Sequence, residues 1–418
     1  HASLTGKSTT YRITVANLLA SFLPAGYSMS GVPSFWLLVF VSALGQVSMN
    51  GVLPANVAVM EDLSVSYGQA QLVLTVFLVS MLLFQLVSGS LSDRFGRRSV
   101  VIGGLFLFCV GAFLCATANS IEWLLLGRFI QGSGAAACVS MPRTMVRDLL
   151  SQDKAASAIG YLTTAMMVAP LLGPALGGWL TQTLGWRWMY GVITVFGLLI
   201  LLVAALRLSE TRPASVPGQE EYHFSYAFKH LIMDRRFLAP MLVMSGSAGV
   251  YYVFLAGAPF VAINLYGYTP AEFGIWFASA GIGYMSGNFF AGRWSVKIGA
   301  ERMVKLGIIP LFISVLMMWL LSPWPLAFTL FIPAFAFAFS NGMCIPNLAS
   351  IGLGIQPRFA GTASGLLGVA QLGVGVVLSS VLGMVISGSA VPMFVLMTVC
   401  LVIVSVGLVI WVPVSQSS

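Results

Sequence analysis

Charge is what this sequence has least of. Only 8% of its 418 residues are Asp, Glu, Lys or Arg, against 58% hydrophobic, which leaves too few polar side chains to coat a soluble globule of this size. The three histidines, His1, His223 and His230, lie outside the long apolar runs. The five cysteines, Cys109, Cys115, Cys138, Cys344 and Cys400, lie inside them, with neither metal-ligand spacing nor the pattern of a disulfide framework. No metal centre is expected. Nor does any nucleophile with a base, or any phosphate-binding loop, occur at usable spacing, so the chain does not read as an enzyme. Its net charge of +8 is spread over short loops instead of forming a patch, which excludes nucleic acid as a partner.

What remains is an all-α polytopic membrane protein whose first partner is the lipid bilayer. Apolar runs long enough to cross a bilayer at about 1.5 Å per residue recur at residues 35–58, 68–90, 99–118, 123–146, 155–182 and 187–207. After a polar segment they resume at 237–264, 270–294, 302–321, 325–349, 359–386 and 391–412. Twelve spans are expected, in two six-helix bundles at 35–208 and 237–413, joined by a linker at 209–236. Residues 1–34 are interrupted by Pro24, Gly26, Gly31 and Pro33 and read as an interfacial helix or leader. A thirteenth span, a cleavable targeting sequence or appended sequence are the alternatives.

Of the twenty Lys and Arg residues, all but Arg128 and Arg187 fall in alternate loops of one side or in the N-terminal tail. That bias predicts a cytoplasmic side carrying both termini. The segment Gly89-Ser90-Leu91-Ser92-Asp93-Arg94-Phe95-Gly96-Arg97-Arg98 holds four charges between two apolar runs, and it reads as a tight hinge in which the glycines turn the chain and Asp93 caps a helix start. A weaker copy is expected at Gly287–Arg293.

The hinge resembles the loop between the second and third helices of the major facilitator superfamily. The resemblance implies two pseudo-symmetric halves with substrate held between them near the midplane, and a conformational latch at Gly89, Asp93, Arg94, Gly96 and Arg97. In the fourth span, Arg128-Phe129-Ile130-Gln131-Gly132-Ser133-Gly134-Ala135-Ala136 is similar to a second signature of that family. An arginine inside a span faces a polar interior or snorkels to the interface. The fifth span holds Gly160, Ala169, Gly173-Pro174 and Gly177-Gly178, which resembles the family's antiporter motif with Ala169 in place of one glycine. Residues 169, 173 and 177 form a small-residue groove for another helix. With Ala169–Pro174 and the Glu210-Thr211-Arg212-Pro213 that ends the sixth span, the chain resembles drug:proton antiporters of the bicyclomycin- and chloramphenicol-resistance type over residues 35–412.

Helix 1 departs from that branch. Asn50-Gly51-Val52-Leu53-Pro54-Ala55 resembles a family segment whose first residue is a proton-exchanging acid, so Asn50, with Arg128, marks the proton-coupling position. All twelve acids fall in loops or at helix ends. An amide has the shape of a protonated carboxyl and does not titrate, so it would hold the carrier in a proton-loaded state. Its origin is either natural loss of coupling or an engineered change from Asp. Helical spacing nominates Gln46, Asn50, Gln131, Met166, Met167, Met244, Ser245, Tyr252, Tyr284, Asn288, Asn341 and Gln371 as lining the substrate cavity.

The expected activity is alternating-access multidrug efflux of small amphipathic, mostly uncharged, amphenicol-like compounds. The exchange is for protons, with no other cofactor, by a monomer in a bacterial inner membrane. An exporter of a metabolite or siderophore, an uncoupled facilitator, or a non-transporting sensor with a carrier fold are the alternatives.

Overall fold

Long apolar stretches have their backbone polar groups satisfied within each segment only as helices, and the computed structural model, which describes residues 35–149, 162, 166, 168–211, 224–356 and 359–411, is helical accordingly. The first half contains α1 Phe35–Asn50, α2 Ala55–Asp62, α3 Tyr67–Phe95, α4 Arg97–Ala116, α5 Ile121–Leu149, α6 Val168–Leu184 and α7 Trp186–Arg207. A short helix α8, Phe224–Met233, precedes the second half. That half comprises α9 Arg235–Pro259 with a π-helical continuation Phe260–Leu265, α10 Pro270–Ile298, α11 Ala300–Leu321, α12 Ala327–Ile355, α13 Ala360–Val385 and α14 Val391–Val409. Among the described residues nine helices are long and apolar enough to cross a bilayer, and α1 with α2, bent by 53° at their break, makes a tenth. With α6 and α10 these are the twelve spans of the expected fold. The expected leader at 1–34 lies outside the described residues.

The corners differ from the sequence expectation in an instructive way. The helix does not stop near Ser90; α3 runs to Phe95 and α4 starts at Arg97, so the expected ten-residue hinge has Gly96 as its one non-helical residue. Gly96 has φ of 90°, a backbone state that a side chain disfavours, and its N–H donates to the Ser92 carbonyl at 3.0 Å. Gly299 makes the same corner in the second half, with φ of 91° and a 2.9 Å bond to the Ser295 carbonyl. Gly287–Arg293, expected to be the copy, is instead inside α10. The repeat register therefore pairs Gly89, Ser92 and Gly96 with Gly292, Ser295 and Gly299, 203 residues later. The same displacement, 66 to 269, relates the capping boxes Ser66/Gln69 of α3 and Thr269/Glu272 of α10. The shared corners and caps are physical evidence for two copies of one unit.

The acid that caps the start of α4 is Glu210, from the far end of α7. Its carboxylate accepts from the Arg97 amide at 2.8 Å and the Arg98 amide at 3.2 Å, while Arg98 donates to the Leu208 and Ala205 carbonyls at the end of α7. Arg97 turns the other way, to Asp148 on α5 at 2.9 Å and to Ser92. One corner thus joins four helices. Glu210→Ala should cost about 1–2 kcal/mol, the loss of a charged helix cap, seen as a lower melting midpoint in detergent, and Glu210→Gln should cost less. An unchanged midpoint for Glu210→Ala would show that the corner is held without it.

The halves meet chiefly through α3 against α13 and α6 against α10. The tight contacts gather at one end: Tyr67 donates to the Ala256 carbonyl at 2.8 Å, its ring lies 4.6 Å from that of Phe260, and Thr75 meets Ser379 at 3.3 Å. There, too, Gly68 abuts Gly383, Gly178 abuts Pro270, and Gly274 abuts Pro174 so closely that a Cβ on any of the three would collide with backbone. Among the described glycines, none at the opposite end, which carries the Gly96 corner and most of the basic residues, brings backbone against backbone between the halves in this way. The two bundles therefore meet across a cleft that is closed at the end remote from the basic corner.

Candidate substrate and coupling site

The break in the first span builds the centre of the cleft. Pro54 has no N–H to continue the ladder, so α1 ends at Asn50 and the chain crosses Gly51–Pro54 before α2 begins. The bare Gly51 backbone fits against Gly173 and Gly177 of α6; a Cβ on Gly177 would overlap the Gly51 carbonyl. The small-residue groove of the fifth span thus receives the broken first span, while its neighbours Pro174 and Gly178 meet α10 of the other half. One short motif touches both sides of the interface. Gly160 and Met167 lie outside the described residues, as does the side chain of Ala169.

Asn50 is wholly buried and bridges the two halves. Its Oδ1 accepts from the Tyr251 hydroxyl on α9 at 2.8 Å, and its Nδ2 donates to the Gln46 carbonyl one turn earlier at 3.0 Å. Sequence spacing nominated Tyr252, but the Tyr252 ring packs on the backbone of Gly375 in α13, and the adjacent Tyr251 faces Asn50. The Tyr251 and Tyr252 rings lie edge to face, 5.6 Å apart.

Arg128 does not snorkel. It is 1% exposed, and its guanidinium donates to the Val73 carbonyl at 3.0 Å, the Ser48 hydroxyl at 3.1 Å and Gln131 Oε1 at 2.8 Å. The same group stacks over Phe77 at 4.1 Å and lies 5.8 Å from the Tyr190 ring centre. None of these bonds reaches Asn50, so the two residues are linked only through α1, by Ser48 two positions before Asn50. Ser48 was not nominated, because a lone serine inside an apolar run carries no distinguishing signal.

The other nominated residues divide by how their polar atoms are used. Ser245 spends its hydroxyl on the Met241 carbonyl and Asn288 its amide on the Tyr284 carbonyl, each within its own helix. Met166 and Met244 are buried. Gln131 Nε2 and Asn341 Oδ1 are buried without a hydrogen-bond partner, which an interior polar atom rarely tolerates, whereas Gln371 and Tyr284 keep partial access. In the latch segment Arg97 bonds within its own half, Arg94 lies 5.3 Å from the Phe95 ring centre, and the Asp93 side chain lies outside what is described.

The comparisons agree with this architecture. The Major Facilitator Superfamily matches residues 35–380. An uncharacterized MFS-type transporter of Bacillus subtilis, YdgK, is 32% identical, covering 88% of this chain and 92% of that protein. A bicyclomycin resistance protein homolog of Haemophilus influenzae is 29% identical over 87% and 94% of the two chains, and multidrug resistance protein D of Escherichia coli is 29% identical over 82% and 86%. Among solved structures, a bacterial homologue of the lysosomal transporter Spinster superposes with a TM-score of 0.70 at 18% identity over 90% and 95% of the chains. A D-xylose–proton symporter superposes with 0.71 at 14% over 92% and 98%. The matched length, the two-fold repeat and the sealed cleft lead to one assignment: this chain is a multi-pass membrane transporter that belongs to the Major Facilitator Superfamily.

Proposed function

We propose that the protein exports small, amphipathic, mostly uncharged compounds, of amphenicol-like character, from the bacterial cytoplasm across the inner membrane by alternating access. The reading rests above all on the cleft. Its central bridge, Asn50 to Tyr251, is neutral, and none of the described acids lies beside it: Asp62, Asp148 and Asp234 pair with arginines near helix ends, and Glu210 and Glu272 cap helix starts. A desolvated organic cation needs a counter-charge, and the described cleft offers none. Relatives named for bicyclomycin and multidrug resistance support a drug-like ligand, and the basic end, remote from the tight contacts between the halves, faces the cytoplasm under the positive-inside rule.

In this reading protons are the coupling ion of an Asp-bearing form and Asn50 weakens that coupling, while the protein acts as a monomer with both termini inside. Cells carrying the protein should withstand higher concentrations of amphenicols than cells lacking it, while susceptibility to lipophilic cations stays unchanged; identical profiles for every compound class would overturn the export reading. Orientation has its own check. Reporters fused after Asp62 and Tyr266 are expected outside and those after Arg97 and Gln219 inside, and a reversed reporter at Gln219 would break the six-plus-six reading.

A further inference from the structure

The last part of the expected linker folds as the helix α8, and its outer face is unlike that of a helix bathed in water. It joins the start of α9, at the end of that helix remote from Ala256 and Phe260, where the halves close on Tyr67. It packs on α9 and α13. Leu231 is fully buried and sets the inner face, while on one flank the His230 ring lies 4.4 Å from that of Tyr226 and 6.4 Å from that of Phe359, the residue that precedes α13. At about 100° per residue the direction opposite Leu231 falls to Lys229 and Met233, with Tyr226 beside them. A helix facing water is polar there. Here Met233 is 73% exposed, Tyr226 49% and Phe228, on the other flank, 42%. The exposed charges alongside are Lys229, Arg235 and Arg236; the one acid of this stretch, Asp234, is largely covered and pairs with Arg236 at 3.3 Å. The face is therefore apolar and cationic together.

Methionine and aromatic rings beside lysine and arginine are the surface of a helix that lies in the interfacial zone of a bilayer, and anionic headgroups add attraction for each cation near them. We infer that α8 seats on anionic phospholipid of the cytoplasmic leaflet, with Met233, Tyr226 and Phe228 entering the boundary between headgroups and acyl chains and Lys229 and Arg235 meeting headgroup phosphates. A zwitterionic surface offers the apolar contact alone, and an anionic one offers both. The seated helix bears on the carrier through Phe359, because α13 starts there and runs on to Ser379 and Gly383, which meet Thr75 and Gly68 of the other half. The inference goes beyond the export reading and does not depend on what is carried. It takes only its leaflet from the orientation proposed above.

A nitroxide on Met233→Cys in the full chain tests this, since the five native cysteines are all buried and the label goes to the new, exposed thiol. The labelled protein is placed in vesicles of phosphatidylcholine alone and of phosphatidylcholine with phosphatidylglycerol. Collision with oxygen, which concentrates among acyl chains, and with a water-soluble nickel chelate then reports the depth of the label. The expected result is a shift from nickel to oxygen in the anionic vesicles, with two cations near the surface favouring the seated helix on the order of twentyfold. Lys229→Gln with Arg235→Gln should return the label in anionic vesicles to its state in phosphatidylcholine. Water-like collision in both vesicle types overturns the inference and leaves the face to a protein partner. Equal depth in both overturns it as well, since charge is then not what seats the helix, and neither result needs a charge variant to fold. An anionic shift undiminished in the double variant removes Lys229 and Arg235 from the contact and overturns the assignment. Both leaflets of these vesicles carry the same lipid, so the outcome is independent of orientation, which the reporter at Gln219 reads separately.

Discussion

Arg128→Met is expected to abolish transport and to lower the melting midpoint of the purified protein, whereas Arg128→Lys recovers part of the stability and little of the transport. Methionine fills much of the same volume, so the loss is one of bonding and not of packing. Without the guanidinium, Ser48 and Gln131 lose the donor that satisfies them, and an orphaned buried acceptor costs about 1–3 kcal/mol. The cation stacked on Phe77 contributes about 2 kcal/mol more in a desolvated setting, so a total near 3 kcal/mol is the expected order. Lysine restores the charge as a single point and cannot span the three acceptors at once. Transport suffers more than stability because those acceptors lie on α1, α3 and α5: Arg128 fixes the helix that carries Asn50 against the helix that carries Tyr67 and Thr75, which contact the other half. Melting in detergent and drug uptake by inverted vesicles give the two readouts. A methionine variant that melts and transports like the parent would strip Arg128 of this role.

The twelve spans and their division into six and six were legible because long apolar runs have no other stable form in lipid. The corners were less so. Gly96 and Gly299 carry the turns, yet the helices around them extend past the apolar runs; α3, α5 and α12 are each 29 residues long, and hydropathy registers the bilayer, not the helix. For the same reason Arg143, which lies within α5, read as a loop charge. That Tyr251, not nominated, meets Asn50 was hidden for a different cause. Seven-residue spacing identifies a helix face, but which face meets the cleft depends on where α9 packs, and Gly375 on α13 supplies the notch that claims Tyr252. Glu210 was visible as part of a motif, and its role as a cap was not, because its partner amides lie more than a hundred residues away in sequence. Asn50 and Arg128 stood out because polar side chains are conspicuous in apolar runs, and the structure places both in the interior.

The remaining large effect concerns Asn50, where, on the proposed reading, a single atom's change in chemistry should give the carrier proton coupling. Asn50 donates to the Gln46 carbonyl and accepts from the Tyr251 hydroxyl. A protonated carboxyl makes the same two bonds, with its O–H in place of the amide N–H. An ionised carboxylate keeps the bond from Tyr251 and loses the other, setting an acceptor against the Gln46 carbonyl. On the proposed reading, the conformation described, closed at the end remote from the basic corner, suits the proton-loaded side chain, and an amide that cannot lose a proton is expected to hold that state in place. In Asn50→Asp the group gains two charge states that favour different conformations, and only such a difference lets a proton gradient bias the alternating equilibrium. The expected result is ligand-induced proton release of about one proton per ligand from the Asp variant in detergent, and pH-driven accumulation in proteoliposomes, as follows from a single linked site. The chain with Asn50 should bind the same ligand and release none. Equal and robust proton exchange by the Asn50 protein would place coupling at another residue, and position 50 would have to be given up as the proton site.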